Sequence, residues 1–78
     1  MMQASDIREH MDVVGSDGHH VGRVDHVVGE EIELTKWDTG SGLKHHMIPI
    51  SWVDFVDDDG VHLNRTREAA KSQWREKH

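Results

Sequence analysis

The chain has no cysteine and no tyrosine, and only one proline and one phenylalanine among its 78 residues. Without cysteine there is no disulfide, no thiol nucleophile and no thiolate zinc site. No apolar run approaches the ~18 residues that a membrane-spanning helix requires, so a membrane partner is not expected. The opening MMQASDIREHM has neither a basic start nor an apolar stretch, so no signal peptide is expected either. Together these absences point to the cytoplasm. Apolar residues make up 35%, and a domain this small buries only ~60% of the surface its unfolded chain exposes. One domain with a thin core follows, placed at residues 5–74, with 1–4 and 75–78 as flexible termini.

Basic residues are also scarce, and they are unevenly placed. The formal net charge is −6. Residues 1–63 carry most of the acid, whereas Arg65, Arg67, Lys71, Arg75 and Lys77 crowd the end of the chain. An acidic body repels phosphate backbones, so nucleic acid is not an expected partner. The abundant residue is histidine, eight in all. Full protonation would reverse the sign of the net charge, and neutral imidazole is the commonest protein ligand for transition metals.

Turn residues recur at short intervals, the pattern of an all-β chain. Ile7 and Met11 share one face of a short helical turn. Asp12–Val14 reads as a strand, and Ser16-Asp17-Gly18 as a hairpin turn. His20–Val28 reads as a long strand. Its alternation slips midway, which predicts a bulge, with Gly22 the weak point. Gly29-Glu30 suits a two-residue turn with glycine first. Glu31–Lys36 alternates with Ile32 and Leu34 facing in and Glu31, Glu33 and Thr35 facing out. Asp38–Gly42 reads as a loop and Lys44–Ile50 as a strand, Pro49 fitting an edge or a strand end. A short segment ending at Val56, a turn at Asp58-Asp59-Gly60 and a strand at Val61–Leu63 follow. Asn64 or Thr66 caps a helix from about Arg67. The expected fold is all-β: six short antiparallel strands closed into a small barrel, with one short C-terminal helix.

Two stretches resemble the PRC-barrel domains. Val13-Val14-Gly15-Ser16-Asp17-Gly18 followed by Val21-Gly22-Arg23-Val24-Asp25-His26-Val27 resembles their opening. Ile48-Pro49-Ile50-Ser51-Trp52-Val53, with Val56-Asp57, Gly60-Val61 and Leu63, resembles their second half. The chain also resembles a bacterial family of small uncharacterised proteins that share the His-His pair before the Ile-Pro strand and a short C-terminal helix ending near a tryptophan. PRC barrels include the cytoplasmic domain of the photosynthetic reaction-centre H subunit and a domain of a ribosome-maturation factor, where the barrel docks other molecules. The resemblance implies a non-enzymatic docking or adaptor module. The reaction-centre and ribosomal roles do not carry over, because the transmembrane helix of the one and the second barrel of the other are missing.

Two sets of residues follow as candidates. The serines lack a nucleophile elbow, and the carboxylates fall in turns or at outward strand positions, so no catalytic residue is expected. The interaction surface is Trp37, Met47, Pro49 and Trp74 with Arg67 and Lys71 of the basic helix. It suits a homodimer or another protein partner. The alternative is a transition-metal site, zinc or nickel, built from His45, His46, His62 and His26. His45 and His46 are adjacent on a strand and point to opposite faces. A site therefore needs a cross-strand set, such as His45 or His46 with His62 or His26, with or without an aspartate. Outside that alternative no cofactor is expected.

Overall fold

The computed structural model describes residues 6–35 and 45–76. Seven strands form one sheet in the order β5-β6-β1-β2-β3-β4-β7. Hairpins build its middle. β1 (Asp12–Val14) pairs with the first half of β2 (His20–Val28), and β2 with β3 (Glu31–Leu34), all antiparallel. Gly18 has φ 79° and Gly29 φ 60°, the positive φ that tight hairpin turns demand and that glycine adopts without a Cβ clash. β4 (His46–Pro49) continues the ladder on β3, with Ile32 opposite Ile48 and Glu33 opposite Met47.

A single 3-10 turn (Ile50–Trp52) then leads into β5 (Val53–Asp57), which forms a hairpin with β6 (Gly60–Leu63). Following the ladder, β4 and β5 run in the same sense, so the turn joins them without reversing the chain. β6 consequently arrives parallel to β1, Val13 opposite Val61. This corrects the expectation of an antiparallel-only barrel. The sheet is mixed and not closed, with β5 at one end and β7 at the other. Alternation in sequence gives each strand its faces but not its neighbour, and the β1–β6 pairing joins residues about fifty positions apart.

Thr66 caps α1 (Arg67–Gln73), its hydroxyl accepting from the Ala69 amide at 3.2 Å. Such a cap stabilises a helix by about 1 kcal/mol. Ala70 is fully buried, and Trp74 packs at the edge of the core. Beyond it, β7 (Arg75–Glu76) pairs with His46 and Met47. Arg75 and Glu76, expected in a flexible terminus, are thus paired in the sheet. The core itself is Val13, Val21, Val24, Ile32, Leu34, Ile48, Val61 and Leu63 with Ile7 and Ala70. Each large aliphatic side chain so buried stabilises the fold by about 1.5–3 kcal/mol. Ile32 and Leu34 face inward, as their alternation predicts.

Candidate functional site

The site begins with an irregularity in β2. Val24 pairs with Leu34 and His26 with Glu33, so three residues of β2 face two of β3 and Asp25 is the extra one. An extra residue breaks the period-two alternation. Before it, Gly22 and Val24 are buried; after it, Val27 is the half-buried residue and His26 and Val28 are exposed. Two neighbours in sequence, Asp25 and His26, therefore serve the same side of the sheet. The slip expected near Gly22 is present on the other side of β2, where Val13 pairs with Gly22 and Val14 with His20 so that Val21 is extra; the slip at Asp25 is an additional one.

Glu33 lies across from His26 and Met47, on the face of β3 away from Ile32 and Leu34. The alternation assigns it to solvent, yet it is only 2% exposed. The expectation that every carboxylate sits solvated in turns or on outward positions is corrected here. An ionised acid taken out of water requires compensating positive charge or hydrogen bonds. His26 Nε2 lies 3.8 Å and His45 Nδ1 3.5 Å from Glu33 Oε2. Asp25 Oδ2 completes the group, 3.5 Å from His26 Nδ1 and 3.7 Å from His45 Nδ1.

His45 enters from the residue just before β4. Its Nδ1 lies 2.9 Å from the Leu34 carbonyl. A carbonyl only accepts, so Nδ1 carries a proton and donates it. In neutral His45 the lone pair then rests on Nε2. The nitrogen that faces Glu33 and Asp25 is this same Nδ1, so an ion held there needs the other tautomer and the loss of the Leu34 hydrogen bond.

One ligand atom each from Asp25, Glu33 and His45 all lie within 4.8 Å of one another. Ligands bound tetrahedrally at about 2.0–2.2 Å stand roughly 3.3–3.6 Å apart, so a small inward movement closes this set on an ion. The floor is the buried Glu33 and the walls are partly open: the side chains of Asp25, His26 and His45 are between 29% and 46% exposed. An ion can enter, and a fourth position is open to His26, water or an exogenous ligand.

Of the four histidines expected to bind metal, His26 and His45 converge. His46 does not: it is buried on the opposite face and stacks on Trp74, ring centroids 3.9 Å apart and 17° between planes. His62 does not either. It belongs to β6, donates through Nε2 to Asp57 Oδ1 at 2.9 Å, and stacks on Phe55. Sequence reasoning missed Glu33 altogether and left the aspartate unassigned. The slip in the β2 alternation is the signal that points to Asp25.

The expected interaction residues scatter. Met47 shares a face with His45 and Pro49 but is 5% exposed, with Glu33 of β3 and Arg75 of β7 as its cross-strand neighbours. It is therefore no part of an exposed apolar strip. Pro49 and Trp74 are half-buried, Arg67 is exposed, and the Lys71 ammonium lies 5.6 Å from the Trp74 ring centre. Trp37 lies outside the described residues. Two acids elsewhere are held ionised. The hydrogen bond from His62, followed by the amides of Asp59 and Gly60, keeps the Asp57 carboxyl below its ordinary value. For Asp17, desolvation acts upward but is outweighed by the amides of His19 and Arg67, and the net direction is down.

Among the described residues no helix is long and apolar enough to cross a membrane. Residues 7–71 match the model of a family described as "Uncharacterized protein conserved in bacteria (DUF2171)". No curated protein and no solved structure matches the chain.

Proposed function

Since the chain belongs to that bacterial family, whose description assigns no activity, we propose from its own residues that it is a non-enzymatic module that binds a divalent transition metal. Asp25, Glu33 and His45 are the ligands and His26 stands beside them. The observation that carries this reading is the buried carboxylate of Glu33 facing two imidazoles and a second carboxylate on an accessible side of the sheet. Mixed nitrogen and oxygen donors suit zinc or nickel better than calcium or magnesium, which prefer oxygen alone. The PRC-barrel likeness and a cytoplasmic, dimeric adaptor role belong to the same proposal at a lower level. They would make the metal a structural or sensing element of a docking protein.

The test is a zinc competition titration, with native mass spectrometry before and after chelator. The expected result is one zinc per chain, lost with chelator, and bound at least about tenfold more weakly by Glu33→Gln and His45→Gln. His46→Gln and His62→Gln should bind as the parent does. Equal zinc affinity in Glu33→Gln and the parent would end this reading, since the ion would then sit on other histidines.

A further inference from the structure

The end strand β5 carries features that the metal site does not use. No described strand pairs with its outer edge, so a row of backbone donors and acceptors is available there. Natural edges of this kind are guarded by charge, and here the charge has one sign: Asp54 and Asp57 lie in the strand, with Asp58 and Asp59 in the turn that follows. A second copy presenting the same acidic edge would be repelled. A basic segment would be attracted.

Phe55 makes the edge more than a charged border. It is 47% exposed, one of two large apolar side chains so exposed among the described residues. It lies opposite His62 and stacks flat on it, centroids 4.2 Å apart and 10° between planes. Asp57 is fixed beside this platform by the imidazole at 2.9 Å and by the amides of Asp59 at 2.9 Å and Gly60 at 3.2 Å. An aromatic face next to a fixed carboxylate is a good receptor for a guanidinium or ammonium group. Where β5 ends, an open hollow of about 450 Å³ is lined by Asp6, Glu9, Asp57 and Asp58, with Arg8 and His10 also on its walls. Four carboxylates against one guanidinium leave it acidic.

We propose that β5 is the docking edge for an extended, lysine- or arginine-bearing segment of another protein. The segment adds a strand to the sheet, lays one cationic side chain over Phe55 beside Asp57, and places another in the hollow at the end of the strand. Backbone pairing supplies affinity and the two cation positions supply selectivity. The inference stands apart from the metal site, whose residues lie on β2, β3 and the approach to β4.

A labelled peptide of alternating arginine and threonine tests it by fluorescence anisotropy, with amide chemical shifts to locate the contact. An analogue N-methylated at alternate residues keeps the charge but cannot pair as a strand, and a glutamate–threonine peptide reverses the sign. Shifts should concentrate in residues 53–60. N-methylation, Phe55→Ser and Asp57→Asn should each weaken binding about tenfold, and the acidic peptide should not bind. Both substitutions lie on exposed positions, so the fold should survive, which the shifts themselves report. Equal binding of the parent and N-methylated peptides, or equal binding by Phe55→Ser, would reduce the attraction to net charge and overturn the proposal. Self-association that disappears in Phe55→Ser would also overturn it, because the edge would then serve a second copy.

Discussion

His45 Nδ1 stands 3.5 Å from Glu33 Oε2 while it donates to the Leu34 carbonyl at 2.9 Å. One proton thus sits where an ion would. If the metal binds at Nδ1, that proton must shift to Nε2 and give up the Leu34 hydrogen bond, and an imidazolium must lose a proton, so acid weakens binding. Protonation of either imidazole opposes the metal, so affinity should rise with pH through the histidine range, by about tenfold per pH unit for one proton displaced. Calorimetric zinc titration in buffers of different ionisation enthalpy counts the protons released. An affinity that does not change with pH across that range would mean that neither imidazole is a ligand.

Glu33 should behave as a functional residue kept at the expense of stability. Its carboxylate is desolvated, while its histidine neighbours are partly exposed and remain hydrated without it. Replacing buried ionic groups with apolar ones is often neutral or stabilising, by about 1–4 kcal/mol. Glu33→Leu should therefore match or exceed the parent in urea denaturation without metal. At zinc a hundredfold above the dissociation constant, the parent should gain about 2.7 kcal/mol and the variant nothing. A variant that is much less stable without metal would show that Glu33 is a structural acid.

What could be read from the sequence was mostly local. Asp17-Gly18 and Gly29-Glu30 mark their turns because positive φ needs glycine, Ile32 and Leu34 mark the core face, and Thr66 marks the start of the helix. The parallel contact of β1 with β6 was not legible, since no residue in either strand encodes its distant neighbour. Glu33 and Met47 defeated the alternation rule for a related reason. That rule names the side of a strand, not whether another part of the chain covers it. His26 and Asp25 share a side only because of a second bulge, beyond the one that the alternation places near Gly22.

The Asp57–His62 pair predicts an acid-dependent loss of stability. The folded-state pKa of Asp57 lies below its ordinary value of 3.8, chiefly through the His62 hydrogen bond. A depressed carboxylate pKa stabilises the fold above the unfolded value and loses that contribution as pH falls through the folded one. Asp57→Asn should therefore be less stable than the parent at neutral pH, and the gap should narrow below about pH 4. Urea midpoints measured across pH 2–7 check this. A gap that stays constant through that range would mean that the loss comes from altered turn geometry and not from charge.

Gly60 and Gly18 offer a matched test of close backbone approach. Both have positive φ, 138° and 79°, so alanine strains either one, by about 1–2 kcal/mol in the left-handed region. At Gly18 a Cβ would meet nothing within 4 Å, whereas at Gly60 it would fall 2.2 Å from the Asp12 carbonyl oxygen. That oxygen belongs to the backbone of β1, which lies beside β6 and is held on its other side by β2, so it cannot move aside cheaply. Overpacking of this kind adds about 1–3 kcal/mol. Gly60→Ala should cost roughly 2–5 kcal/mol in urea denaturation and Gly18→Ala about 1–2 kcal/mol, both with unchanged slope. Equal losses would mean that φ alone sets the requirement for glycine and that β6 can shift away from β1, loosening the parallel contact that joins the two halves of the sheet.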